Sequence, residues 1–195
     1  NFLKSLDTPL IVIGNKVSDE IPFVGIDERR AAKEATDKIL DSGYERVVFV
    51  CPPLGESREG NNYTHEQRLD GFREAMAGRS VEAVIISSEY YEKEAASILE
   101  TNDCNTAFFC SGDIYAMDIM KHLKSCGKQA PRDYGIMGFD DIELLEYLSP
   151  RLSTIYNSVE EVAKRAVELL FDEMEGRKIA METYERYRLV QGETL

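Results

Sequence analysis

No CxxC pair occurs in this chain. Its four cysteines, Cys51, Cys104, Cys110 and Cys126, are not spaced as a ligand pair or a redox dithiol. They read as reduced thiols beside apolar segments, as in a cytoplasmic protein. The two histidines, His65 and His122, lie far apart, so no metal site is expected. No apolar run approaches the roughly 20 residues of a membrane-spanning helix. Nor does a basic stretch followed by an apolar one open the chain, as a secretion signal would. Positive charge is scarce as well: 23 Lys and Arg face 36 acidic residues, a formal net charge of −13. That balance repels phosphate backbones and argues against nucleic-acid contact by these residues themselves. The phosphate-binding GxxxxGK[ST] and GxGxxG patterns and the GxSxG nucleophile elbow are absent. No catalytic set and no cofactor are expected.

What is present is alternation. At 195 residues and 43% hydrophobic, the chain can bury a sizeable core. Short runs rich in Val, Ile and Phe predict strands at Pro9–Gly14, Arg46–Pro52, 81–87, 105–111, 134–139 and 152–157, with a last candidate at 187–191. Between them, apolar residues at three- and four-residue spacing predict helices over 28–42, 64–77, 91–100, 113–125, 142–148 and 159–174. Gly43, Gly127 and Gly176 are placed to end three of them. Ser158-Val159-Glu160-Glu161 has the form of a capping box. Continuous apolar strands alternating with helices mean an α/β fold with parallel sheets. In such sheets ligands bind off the carboxyl ends of the strands.

That rule directs attention to the strand-to-helix junctions. Asp140 and Asp141 follow the apolar run of 134–139. One acid there is explained as a helix cap; a second is suited to accepting charge-assisted bonds from ligand hydroxyls. Arg68 opens a helix after a polar loop and is either a fork for a ligand or a solvated partner of Glu66 or Asp70. Tyr90, after the strand at 81–87, is either a stacking platform or a lid on the core. Asp113 reads most simply as an N-cap.

Taken together, "GYERVVFV", "RLDGFREAM", the run from Asn105 to Ile155 with "CSGD", "GFDD" and "LSPRLSTI", and "SVEEVAKRAVELL" resemble the effector-binding domain of lactose-repressor/galactose-repressor (LacI/GalR) transcription regulators. The likeness runs from about Pro9 to Leu195. It implies a periplasmic-binding-protein-like type I fold of two α/β lobes crossed three times by the chain. In that reading 1–27 belong to the N-terminal lobe, 28–155 form the C-terminal lobe, 156–184 return to the N-terminal lobe and 185–195 supply a final strand region. It further implies a small-molecule effector (sugar, sugar phosphate or purine-like) between the lobes and a homodimer. DNA would be bound only through a separate N-terminal helix-turn-helix domain outside these residues, and no membrane is involved. By this resemblance Arg68 and Asp140 contact the effector from opposite junctions, Asp141 caps or supports, and Tyr90 lies near an aromatic stacking position. Asn15 and Asp27 correspond more loosely. Two departures stand out: Gly112 replaces an asparagine that hydrogen-bonds the effector, and Tyr44 replaces a histidine. A transport-type sugar-binding protein of the same fold is the alternative. An enzyme using Asp140 or Asp141 as a base is a third reading of the residues.

Overall fold

The computed structural model describes residue 3 and residues 8–54, 62–101 and 104–195. Four parallel strands form the main sheet in the order β4-β3-β5-β6. The inner strands are β3 (Arg46–Cys51) and β5 (Thr106–Cys110); β4 (Glu82–Ser87) and β6 (Gly135–Met137) lie at the edges. Every residue of β3 and β5 is buried, which is why both read as unbroken apolar runs. The pleat then sorts their side chains between two cores. Val47, Phe49, Ala107 and Phe109 meet Ala35 and Ile39 of α1 (Glu28–Asp41) and Phe72 of α2 (Tyr63–Met76) on one face. Val48, Val50, Phe108 and Cys110 meet Ala95 of α3 (Tyr91–Thr101) and Ala116, Ile119 and Leu123 of α4 (Asp113–Ser125) on the other. Cys51 and Cys110 are buried in these cores; Cys126, just past α4, is exposed, unlike the enclosed thiol its sequence suggests.

A second, three-stranded parallel sheet has the order β1-β2-β8, from β1 (Val12–Ile13), β2 (Phe23–Ile26) and β8 (Glu182–Glu185). The long helix α5 (Val159–Met174) packs against all three. A two-stranded antiparallel pair, β7 (Thr154–Tyr156) with β9 (Arg188–Val190), adjoins the main sheet through a bridge between Met137 and Ser153. The chain therefore passes between the two larger sheets three times: after β2, after β7 and after β8.

Several expectations need correction here. The strand predicted at Pro9–Gly14 is only two residues long, and Ile13 is 53% exposed because β1 is an edge paired on one side. The buried central strand is β2, which the sequence reading missed, as it missed β8. The helix predicted over 142–148 is a 3-10 turn, Glu143–Tyr147. Ser158 does precede α5, but its side chain makes no cap bond. It sits at φ 51° with its hydroxyl donating to the Arg186 carbonyl, so the reciprocal capping box does not form. The polar loop between the strand expected at Arg46–Pro52 and the helix that carries Arg68 falls largely on residues 55–61, outside the described residues.

Two glycines are fixed by close approach. A Cβ on Gly71 of α2 would stand 2.1 Å from the Arg29 carbonyl oxygen of α1, so Gly71 lets the two helices touch. A Cβ on Gly135 would stand 2.3 Å from the Tyr44 hydroxyl. The tyrosine in place of the family histidine is thus a buried packing element under β6. Because a backbone carbonyl cannot swing away as a side chain can, Gly71→Ala should lower stability by about 1–3 kcal/mol, read by urea unfolding.

Candidate functional site

The carboxyl ends of β3, β5 and β6 point toward one cluster, and Arg68 is its centre. It lies on α2, is 5% exposed, and reaches three partners. Its Nε donates to Glu28 Oε2 at 2.7 Å, Nη1 to the Ser111 carbonyl at 2.6 Å, and Nη2 to Asp140 Oδ1 at 3.3 Å. The guanidinium also lies over the Phe139 ring, 3.5 Å from its centroid. The pairing within its own helix, to Glu66 or Asp70, does not occur. A buried arginine is tolerable only with its charge met and its donors used. Glu28, at the start of α1 and itself 6% exposed, is the acid that meets it. Burial pushes the carboxyls of Glu28 and Asp140 upward, and the Arg68 charge opposes that shift in both.

Asp140 is held in an unusual backbone. Its φ is 119° and that of Asp141 is 55°, both in the region an L-residue seldom adopts. Four bonds hold the segment. Asp140 N donates to the Ile155 carbonyl at 2.9 Å, Asn157 Nδ2 donates to Asp140 Oδ1 at 3.2 Å, and Ile142 N donates to Asp113 Oδ2 at 3.0 Å. Asp113 N in turn donates to the Phe139 carbonyl at 2.8 Å. Asp113 is thus not the cap of its own helix, where Gly112 holds that position. It is fully buried, and its Oδ1 accepts the Thr154 hydroxyl at 2.6 Å. Neither member of the aspartate pair caps the following turn: its N-cap position is Ile142, with no side-chain cap bond, and Asp141 lies 3.8 Å from Arg188. Asp113 holds the Ile142 N–H just ahead of the turn, so the cap expected of Asp141 does not form.

Asp140 Oδ2 carries no hydrogen bond among the described residues, and its side chain is one-third exposed. The buried Asn157 Oδ1 beside it is likewise without a partner. The two acceptors belong to residues joined by the Asn157 Nδ2 to Asp140 Oδ1 bond. Gly112 opens the space next to them, since a Cβ there would lie 3.7 Å from Asp140 Oδ2 and 3.2 Å from the Tyr115 ring. Tyr115 and His65 stand edge to face at 6.2 Å, and His65 Nδ1 contacts Ser111 Oγ at 3.1 Å.

The other expected residues are placed as follows. Asn15, at the tip of β1, accepts the Thr64 N–H at 3.3 Å and so joins the small sheet to the start of α2. Asp27 caps α1 by accepting Arg30 N at 2.9 Å. It lines a separate cavity of about 410 Å³ with Arg30, Glu34 and Tyr187, none of which joins the Arg68 cluster. Tyr90 is 65% exposed near Lys93 and touches no member of the cluster; Tyr115 is the aromatic ring beside Asp140. Glu28, His65 and Asn157 were not found from the sequence.

A profile of the periplasmic binding protein-like domain matches residues 36–195. The chain belongs to this family. Among curated proteins it is similar to the ribose operon repressor of Halalkalibacterium halodurans. The two are 27% identical over 186 residues, covering 93% of this chain and 54% of that protein. It is also similar to the transcriptional repressor CytR of Escherichia coli, 30% identical over 180 residues, covering 88% of this chain and 51% of that one. The chain thus spans about half the length of the curated relatives it matches. Among solved structures, a LacI family regulator from Enterococcus faecium with bound ribose superposes with a TM-score of 0.83 at 23% identity, over 98% of this chain and 72% of that one. A periplasmic binding protein/LacI regulator from Alkaliphilus metalliredigens complexed with D-xylulofuranose gives 0.83 at 24%, over 97% and 71%. The likeness to LacI-type effector domains drawn from the motifs is borne out, and so is the periplasmic-binding-protein-like fold. No helix among the described residues is long and apolar enough to cross a membrane.

Two groups in this family member's cluster, half-buried His65 and buried Asp113, shift in opposite directions. Burial lowers the His65 imidazole from 6.5 to about 4, aided by the Arg68 charge. Burial raises Asp113 from 3.8 to about 7, against its bonds from Thr154 and Ile142. Between pH 4 and 6.5 the unfolded chain protonates His65 and the native chain does not, so this group makes stability rise with pH. Over the same window native Asp113 keeps a proton that the unfolded chain has lost, so this group makes stability fall with pH. Relative to wild type, His65→Gln should tilt the stability profile downward with rising pH, and Asp113→Asn should tilt it upward. Urea unfolding at intervals across pH 4 to 6.5 reads both slopes.

Proposed function

We propose that this chain is the effector-sensing part of a cytoplasmic, sugar-responsive transcription regulator that works as a homodimer. A small hydroxyl-rich metabolite binds between two lobes. The first is built on the β1-β2-β8 sheet and α5, the second on the main sheet with the β7-β9 pair; Tyr156 then falls with the second lobe and Glu185 with the first, one residue from the bounds 156–184 expected from the sequence. Binding changes the angle between the lobes and so the DNA affinity of a separate helix-turn-helix domain. For this to work the effector must bind the two arrangements unequally. The observation that carries the reading is the pair of unused acceptors, Asp140 Oδ2 and Asn157 Oδ1, beside the buried Arg68 at the strand tips. Carboxylate and amide oxygens of this kind accept sugar hydroxyls. The ribose and D-xylulofuranose in the structural neighbours, and the repressor names of the curated relatives, support the same class.

In this account Arg68, Asp140 and Asn157 form the ligand-facing core. Asn15 joins the site from the small sheet, Asp27 supports the start of α1 that carries Glu28, and Tyr90 lies at the rim. D-ribose at a hundred times its dissociation constant should add about 2.7 kcal/mol of stability. For a chain of this size that raises the melting temperature by roughly 2–4 °C per kcal/mol. Asp140→Ala should abolish the shift while leaving a cooperative melt. Thermal denaturation with and without sugar measures it.

A further inference from the structure

Arg68 is the natural candidate to attract an anionic ligand, and its geometry argues against that use. A guanidinium has five N–H groups. Three are committed, to Glu28, to the Ser111 carbonyl and to Asp140, and the Phe139 ring covers one face. Its positive charge is shared between two carboxylates. Among the described residues no second cation pairs with Glu28 or Asp140. Arg188 pairs with Asp141, lies over the Tyr156 ring and is largely exposed. His65 stays neutral above about pH 4 and adds no charge.

Helix N-termini are the other features that draw anions to the ends of parallel strands, and the protein's own oxygens take an N–H at two of them. Asp27 Oδ1 accepts the Arg30 N–H at the start of α1. Asn15 Oδ1 accepts the Thr64 N–H at the start of α2. At the third, α4, Asp113 places a buried carboxyl in the first turn, a countercharge whose own bonds go to Thr154 and Ile142. Beside Arg68, among the described residues, Asp140 Oδ2 and Asn157 Oδ1 are acceptors without a partner.

We infer that the site selects an uncharged polyol and rejects its phosphorylated form, because the Arg68 charge is met by two carboxylates, Glu28 and Asp140, and two acceptors without a partner, Asp140 Oδ2 and Asn157 Oδ1, stand beside it. The inference rests on the sugar-sensing reading above and narrows it to free sugars and nucleosides, excluding sugar phosphates. A hydroxyl donates to Asp140 Oδ2; a phosphate dianion brought there meets a carboxylate in a partly desolvated place, where like charges repel most strongly.

The test is isothermal titration of the intact protein with three ligands: D-ribose, D-ribose 5-phosphate, and ribose carrying a methyl ether at O5. The two O5 derivatives share the same restricted ring form, so comparing them separates charge from size and ring closure. The expected result is that the methyl ether binds at least about tenfold more tightly than the phosphate. Equal binding of the two derivatives, or tighter binding of the phosphate, would overturn the inference while leaving the sugar reading standing. Heat from none of the three, ribose included, would overturn the sugar reading and the inference with it. Glu28→Gln checks the cause: removing one of the two countercharges should shrink the gap between methyl ether and phosphate severalfold. An unchanged gap in a folded variant would contradict the role given to Glu28.

Discussion

A guanidinium buried between two carboxylates holds this site together. Arg68 comes from α2, Glu28 from the segment by which the chain leaves the small sheet, and Asp140 from the exit of β6. Taking three charges out of water costs several kcal/mol for each ion, and the mutual attraction recovers it only when the geometry is good. Here the arginine also satisfies a carbonyl and rests on an aromatic ring. The cluster therefore tolerates little displacement of any of its three elements. Asp140 inherits that rigidity despite a backbone conformation that would otherwise be disfavoured, because Asp113, Asn157 and the Ile155 carbonyl hold the segment from the other side.

Position within the fold gives this arrangement its meaning. Glu28 follows the first passage between the sheets, and Asn157 and Ser158 form the second. In the proposed function, the acceptors thus lie on or beside the segments that would bend if the two sheets changed their relative angle. A hydroxyl bound at Asp140 sits one hydrogen bond from Asn157 and one ion pair from Arg68. A ligand here has a short mechanical route to the crossings.

How much of this was legible in the sequence depended on whether a residue's job is local. The inner strands β3 and β5 showed as unbroken apolar runs because both faces of the sheet are covered. β2 was missed because "FVGI" is only four residues and follows a polar stretch. β8 was missed because "ETYE" alternates polar residues in a sheet only partly covered. Arg68 and Asp140 were singled out because the motifs around them are specific, and the structure brings the two together. Glu28 was invisible, since an acid in the first turn of a helix is favourable for reasons that need no partner. Asp113 passed for a cap because its real acceptor duty is to a residue 29 positions away. Tyr90 was chosen because it follows a strand near the family's stacking position, while the ring beside Asp140 is Tyr115, in the first turn of α4.

The central claim is that Arg68 and Glu28 are a coupled buried pair on which the site depends. It is tested most directly by a double-mutant cycle in urea, with Arg68→Met, Glu28→Gln and the two together. The account predicts that Arg68→Met alone is destabilised by about 3 kcal/mol or more, because it strands buried carboxylates. Adding Glu28→Gln should then restore part of that loss, with a coupling of about 1–3 kcal/mol. Additive losses, with the double variant as weak as the two singles summed, would contradict it.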